Sequence, residues 1–559
     1  LKLLFWVGAL AILAERATRM GASIGCCASS RTKDGNIDLM CAERGFDVII
    51  VCTSDPSQAE YWETRLKKSR GSVAPNSATI ITVDEDWEGG AGNFLGTLYA
   101  WKKACQKQAD LSEKLKNGSS MALFHTAGKG TRLAPLPGAE NNNKPGVRLP
   151  VPGNLSILES VIKQTGAYAK SRQGRLSVFW GDQIFVPSIS ADYKPRHHAD
   201  ILCALGPMPS AEEWARKGLN TYGCIAATED GSVFKQLEKV SFEEATSQLA
   251  GSGVARVGPS LGSFSVSYDL LMALQAEFAK ELGKKAGKMD SDPHLWMPLT
   301  LSPEAYAELA LKKKLFGSTA EADAHQKRVN SILPKLESKE MGVFGAVDVG
   351  SDNSWWDYGQ LVLYQQNAML LTEESEDAKL MRRFFNVPDK TRVSDDSSLG
   401  ECSVDGSSVV SSTTALSGSI VSSVTTDVCC KEISAEGAVL VGVYANKIRA
   451  GKGSVAYNIV DKSEAGLVLG EDEVRVGIFN PSDSMWTSDP AYLEMKSNLA
   501  TDGGKAWKER VLGNTKSFED VYSSNIGVNI SNCANIALKE REKLKKSLNL
   551  PEKKEDSKR

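Results

Sequence analysis

Residues Leu123-Phe124-His125-Thr126-Ala127-Gly128-Lys129-Gly130-Thr131-Arg132-Leu133 hold the pieces of an anion site, and Lys144-Pro145 follows downstream. A short apolar run ends in a loop of small residues. Ala127, Gly128, Gly130 and Thr131 leave room for backbone N–H groups to approach phosphate oxygens. Arg132 and Lys144 supply positive charge beside them, and Lys129 stands in the loop as a nucleotide-binding candidate. A polyphosphate under attack needs aimed donors and cations where negative charge builds up. The chemistry this stretch could do is therefore group transfer at a phosphate. A second glycine-rich loop, Asp86-Trp87-Glu88-Gly89-Gly90-Ala91-Gly92-Asn93-Phe94-Leu95-Gly96-Thr97, precedes it.

Strands and helices must carry these loops. Asp47 to Thr53 is a β-branched run of the kind that forms buried parallel strands. Gln58 to Lys68 follows as a helix, with Trp62 and Leu66 four apart on one face. Ala78 to Val83 is the strand before the second loop, and Leu98 to about Ala109 the helix after it. Met121 to His125 feeds the first loop. Ile157 to Ala169 reads as a helix, Arg175 to Trp180 as a strand ending in Gly181-Asp182. Cys203 to Leu205 and Tyr222 to Ala227 are further strands, and helical patterns lie near Ser267 to Leu282 and Pro303 to Leu315. Alternation of this kind predicts a mostly parallel α/β sheet covered on both faces.

Composition limits the rest. The 559 residues are 42 % hydrophobic and 24 % charged, with a net charge of −3. Such a chain is globular and long enough for two or three domains. It lacks the basic field of a nucleic-acid binder. The 11 cysteines contain no C-x-x-C pair and the histidines number five. Reduced thiols and no histidine-rich metal site are the expectation. Leu3 to Ala14 is apolar but too short to span a bilayer as a helix. It reads equally as a buried helix or as the remnant of a targeting segment.

The combination of Ala127-Gly128-Lys129-Gly130-Thr131-Arg132-Leu133 with Lys144-Pro145 resembles the signature of sugar-1-phosphate nucleotidyltransferases, the NDP-sugar pyrophosphorylases. The resemblance implies a Rossmann-like, GT-A-like mixed sheet. It implies that the loop wraps a nucleoside triphosphate while Arg132 and Lys144 meet its phosphates. Gly181-Asp182 and Trp355-Trp356-Asp357-Tyr358-Gly359 resemble the family's two carboxylate sites, which makes Asp182 and Asp357 ligands of Mg²⁺. Tyr222-Gly223 and Glu238-Lys239 look like its sugar site, where Gly223 admits the sugar, Glu238 accepts from hydroxyls and Lys239 binds the sugar phosphate. Ser260 stands where the family has asparagine, and Val240 where it has proline. Asn93, Gly96 and Thr97 resemble the base-contacting segment, which in most of these enzymes follows the signature loop. Here it comes first, an order similar to fucose-1-phosphate guanylyltransferases. Gln58-Ala59-Glu60-Tyr61-Trp62 and Asn141-Asn142-Asn143-Lys144-Pro145-Gly146 look closer to plastid-type UTP–glucose-1-phosphate uridylyltransferases. That implies UTP and glucose-1-phosphate as substrates and a plastid location, with the cytoplasm next.

The expected organisation is an N-terminal segment 1–42, a catalytic domain 43–370, a linker 371–402, a β-solenoid 403–510 and a helical or disordered tail 511–559. The solenoid rests on Val/Ile/Leu steps near six residues, as at Val404, Val410 and Leu416. The period is loose, and a β-sandwich is the alternative. Left-handed solenoid tails often assemble such enzymes into homo-oligomers; the oligomer is left open. A non-catalytic nucleotide-sensing or scaffold homologue is the competing class, motivated by Ser260 and Val240. A dinucleotide-binding oxidoreductase is set aside, because the loop lacks the third glycine of Gly-x-Gly-x-x-Gly.

Overall fold

The computed structural model describes residues 32–550, apart from 337, 339, 389 and 482–491. The apolar stretch Leu3 to Ala14 lies outside the described residues. The first described element is a helix, α1, over residues 32–39. Its buried Asn36 donates to the Pro187 carbonyl at 2.7 Å, which ties it to the α/β region.

Strand β1 (Val48–Thr53) is buried along its whole length. Its side chains divide by parity, as the pleat demands. Ile49 and Val51 enter one core with Phe124 and Trp62, while Val48, Ile50 and Cys52 enter another with Leu98, Met121 and Leu123. Helix α2 (Pro56–Lys68) starts where the Asp55 carboxylate accepts from Gln58 N and proline takes the first turn. Strand β2 (Thr79–Asp84), helix α3 (Gly92–Lys107), helix α4 (Leu111–Lys116) and strand β3 (Met121–His125) follow. After the signature loop come α5 (Leu136–Ala139) and α6 (Ile157–Thr165), the latter closed by a Ser156–Glu159 capping box.

The remaining strands of this region are β4 (Arg175–Trp180), β5 (Gln183–Val186), β6 (His197–Cys203), β7 (Gly223–Ala227), β8 (Val233–Glu238), β9 (Arg256–Ser267), β10 (Gly342–Asp348) and β11 (Ser354–Asp357). The main sheet runs β10-β6-β9-β4-β3-β1-β2. Pairs β2-β1, β1-β3, β3-β4 and β6-β10 are parallel, and β9 is antiparallel to both neighbours. Chain connections leave β1 toward β2 and β3 toward β4, in opposite directions. The carboxyl ends of β1 and β3 are thus a topological switch point, where open α/β sheets bind ligands. The small antiparallel pair β5-β11 sets Asp357 opposite Gln183.

The C-terminal region is rich in strands: β12 (Ser398–Val404), β13 (Val409–Val421), β14 (Val424–Glu436), β15 (Val439–Ala445), β16 (Lys447–Ala450), β17 (Val455–Tyr457), β18 (Val460–Asp461), β19 (Leu467–Leu469), β20 (Glu473–Phe479) and β21 (Tyr492–Asn498). Most pair in parallel with a strand about fifteen residues on, and β21 closes the end antiparallel to β20. Val409, Val424, Val439, Val455 and Val474 pair in one column and are all buried. The strand-to-strand pairing distance is thus about fifteen residues, a quantity distinct from the six-residue step of apolar positions along the chain. Parallel pairing also removes the β-sandwich, which is built from antiparallel sheets.

One stretch differs from its expected character. The 371–402 segment, read as a linker, contains helix Glu376–Phe384, whose Ala378, Leu380, Met381 and Phe384 are buried. Glu376, Lys379 and Arg383 sit on the outer face of this amphipathic helix while Arg382 is buried and donates to the Leu371 carbonyl, and the run of charges is why the composition looked like a connector. Beyond residue 511, helices Phe518–Ser524 and Ile530–Ser547 both bury apolar side chains. Residues 551–559 lie outside the described residues. No helix among the described residues is long and apolar enough to cross a membrane. Every cysteine among them is a free thiol.

Candidate active site

A cavity of about 590 Å³ opens at the carboxyl ends of β2, β3 and β4. The floor comes from β3 and the loop after it. Thr126 N and Oγ1 both donate to the Cys52 carbonyl, at 3.0 and 2.9 Å, which ties the loop to β1. Gly128 and Gly130 then take positive φ, 142° and 65°, where a side chain would be strained. Ala127, Gly128 and Gly130 line the cavity. Arg132 follows on a 3-10 turn, Thr131–Leu133, with its side chain exposed.

Lys144 reaches the same mouth. Its stem lies against Gly130, 3.1–3.2 Å from the position a Cβ would take there. Its Nζ is 2.6 Å from Asp182 Oδ2, at the end of β4. Asp357 lies beside them. A Cβ on Gly359 would be 2.9 Å from Asp357 Oδ1 and 3.4 Å from Asp182 Oδ2, so the two carboxylates flank one glycine. Burial raises the Asp357 pKa and the Asp182 charge adds to it, while Lys144 and Arg132 pull it down. Two carboxylates facing each other in a partly dry site need a cation between or beside them. The pair suits Mg²⁺, which takes oxygen ligands and keeps waters and phosphate oxygens. No group of three or more such side chains gathers as a metal cage among the described residues.

The second glycine loop forms the opposite wall. Asn93 lines the cavity at the start of α3. Its backbone N donates to Asp290 Oδ1 at 2.9 Å and its Oδ1 accepts from Ser291 N at 2.6 Å. Phe94 N and Leu95 N donate to the Met289 carbonyl. The 289–291 segment therefore caps α3 from nearly two hundred residues away. That gives Asp290-Ser291 a role no local pattern disclosed. Thr97 and Gly96 sit behind the wall. The Thr97 hydroxyl donates to the Asn93 carbonyl and meets His125 Nε2 at 2.8 Å. Glu85, His125, Trp180, Lys288 and Asp290 also line the cavity. Sequence reading gave them no site role; Glu85, His125 and Trp180 stand at strand ends, while Lys288 and Asp290 lie between two helical elements and carried no such signal.

The expected sugar residues form a neighbouring cluster. Gly223 pairs with Glu238 across β7 and β8, and a Cβ there would lie 2.9 Å from Glu238 Oε2. Glu238 Oε1 is 3.5 Å from Lys313 Nζ and 3.7 Å from Lys239 Nζ. Asp292 sits by this group, its carboxyl pushed up to about 6 by burial and by the Glu238 charge. Lys239 is 60 % exposed. Ser260 Oγ accepts from Gly262 N at 3.0 Å. Gly223, Glu238, Lys239 and Ser260 do not line the cavity itself. They adjoin it through Asp290–Asp292 and through Gly262, which packs on the Trp180 indole. Lys129 and Thr131 turn away from it. Lys129 Nζ stands 5.3 Å from the centre of the Tyr522 ring, and the Thr131 carbonyl backs onto Gly503.

No family model matches the chain. No curated protein matches it. Among solved structures, it is similar to the crystal structure of HddC from Yersinia pseudotuberculosis complexed with GMP-PN. That alignment covers 58 % of this chain and 98 % of the other, at 12 % identity and a TM-score of 0.23. A likeness of that size carries no weight on its own.

Proposed function

We propose that the chain is a sugar-1-phosphate nucleotidyltransferase, joining a nucleoside triphosphate and a sugar-1-phosphate into an NDP-sugar and pyrophosphate. The observation that carries this reading is the meeting of the glycine loop, Lys144 and the Asp182–Asp357 pair at one switch-point cavity. The sugar phosphate oxygen attacks the α-phosphorus in line with departing pyrophosphate. No protein nucleophile is needed. Gly128 and Gly130 let backbone donors reach the triphosphate. Lys144 and Arg132 neutralise charge on its oxygens, and Lys239 holds the sugar phosphate. Asp182 and Asp357 would hold Mg²⁺, which when bound supplies positive charge to the phosphate oxygens.

Among substrates we place UTP with glucose-1-phosphate first, making UDP-glucose, and GTP with fucose-1-phosphate second. Strand β3 feeds the signature loop, and β1 and β2, which precede it in the chain, lie outside it in the sheet. That order supports the permuted core. We read the C-terminal parallel ladder as a left-handed β-solenoid joining copies of the chain, and the plastid as its location. The deciding experiment offers purified protein four nucleoside triphosphates and several sugar phosphates with Mg²⁺, scored by pyrophosphate release. Turnover of one pair supports the enzyme. Nucleotide binding without any turnover replaces it with the sensor or scaffold reading.

A further inference from the structure

The triplet Asn141-Asn142-Asn143 stands directly before Lys144, and its side chains run to three parts of the molecule. Asn141 Nδ2 donates to the Phe479 carbonyl at the end of β20, at 3.0 Å. Asn142 Nδ2 donates to the Tyr522 carbonyl on helix Phe518–Ser524, at 2.7 Å. Asn143 Oδ1 accepts from the Trp62 indole of α2, at 2.9 Å. Asn141 and Asn142 both take positive φ, 52° and 69°. Asparagine tolerates that region better than most residues, but the turn still needs outside support.

Asn525 supplies much of it. Its Nδ2 donates to the Gly138 carbonyl at 3.0 Å, 387 positions away in the chain. The same Nδ2 reaches Asn142 Oδ1 at 3.4 Å. Its Oδ1 accepts from Asn480 Nδ2 at 3.2 Å and from Asn141 Nδ2 at 3.4 Å. The residue is 3 % exposed. Gly138 packs directly on Val521 and Ile478, so the turn has no slack on that side.

We propose that Asn525 is a positioning residue of the nucleotide site, fixing the 138–143 turn so that Lys144 is delivered to Asp182. The proposal rests on the nucleotidyl-transfer reading. Asn525 touches neither the cavity nor the charged pair. It acts through the turn, whose last residue precedes the cation. A phosphate clamp tolerates little misplacement. Removing the Asn525 side chain takes one acceptor from the Asn141 amide, which keeps the Phe479 carbonyl, and one donor from the Gly138 carbonyl, which keeps Asn141 N; both losses fall inside the turn and loosen it. The site built on the α/β sheet is thus completed by the last sixty residues of the chain.

The test measures binding of the four nucleoside triphosphates with Mg²⁺ by titration calorimetry, and KM for nucleotide and sugar phosphate separately. Asn525→Ala is expected to raise the nucleotide Kd and KM about tenfold, with the sugar-phosphate KM unchanged. Asn142→Ala cuts the same turn from Tyr522 and is expected to do likewise; it decides the matter if Asn525→Ala does not fold. Lys462→Ala, which breaks the Lys462–Glu540 pair on helix Ile530–Ser547 away from the turn, is expected to keep the wild-type Kd. Wild-type affinity in Asn142→Ala and in folded Asn525→Ala overturns the proposal and leaves the functional reading standing. Wild-type protein that binds none of the four nucleoside triphosphates overturns both.

Discussion

Lys144 Nζ and Asp182 Oδ2 stand 2.6 Å apart, the first at the end of an asparagine turn and the second at the end of β4. Both side chains are partly open to water, at 18 % and 24 % exposure. A pair so placed adds little to stability. On the proposed reading, the pair holds a cation and a carboxylate side by side where phosphate charge would arrive.

Asp182→Ala is expected to abolish Mg²⁺-dependent pyrophosphate release and to leave the melting temperature close to wild type. Pyrophosphate assay and circular dichroism check both halves. Turnover at the wild-type rate would remove Asp182 from the metal site.

Gly130→Ala forces a Cβ into positive φ and against the Lys144 stem and Pro137. The backbone strain costs about 1–2 kcal/mol. Displacement of Lys144 should weaken nucleotide binding by roughly tenfold or more. Chemical denaturation and nucleotide titration separate the two effects; unchanged affinity would show that the lysine stem does not depend on the glycine.

Lys239 is mostly exposed and makes only a 3.7 Å contact to Glu238. Its removal should not disturb the fold. Lys239→Ala is expected to raise the KM for sugar-1-phosphate by about tenfold or more and to leave nucleotide affinity alone. Steady-state kinetics at saturating nucleotide read this directly, and an unmoved KM takes Lys239 out of the sugar-phosphate site.

Burial pulls His125 and His325 down to about 4. Both are neutral in the folded protein at pH 5, whereas in the unfolded chain histidine takes a proton near pH 6.5. The unfolded state then binds more protons, so stability falls as pH drops from about 6.5 toward about 4. For buried His325 the loss between pH 7 and pH 5 is about 2 kcal/mol. Urea melts of His325→Gln at the two pH values should show a gap smaller than wild type by that amount. Equal gaps would mean that His325 titrates normally.

Elements with a local cause were legible in the chain. The β1 run, the Asp55-Pro56 start of α2 and the Trp62–Leu66 face need only their own residues, and the structure has them where expected. The loop glycines, Lys144 and Asp182 were legible for the same reason: small residues, a cation and a strand-end carboxylate advertise their chemistry. What could not be read depended on distant partners. Asp290 caps α3 across 197 positions, and only the folded sheet brings them together. The 371–402 helix was hidden because its charges outnumber its apolar residues. The pairing distance of about fifteen residues in the C-terminal region was not legible, because it is set by which strands lie side by side and not by the spacing of apolar residues along the chain.

One buried cluster holds Trp62, Phe124 and Leu158 from the α/β region together with Val424, Val439, Val474 and Val521 from the far end of the chain. During synthesis the α/β sheet leaves the ribosome first, with that face still wet. It cannot close until Val521 has emerged, several hundred residues after Trp62. Order of birth and order of assembly are therefore different in this molecule. The face that carries Trp62 and Leu158 stays uncovered until the segment around Val521 has been made, whereas the other core, around Leu98 and Leu123, closes within the α/β region itself.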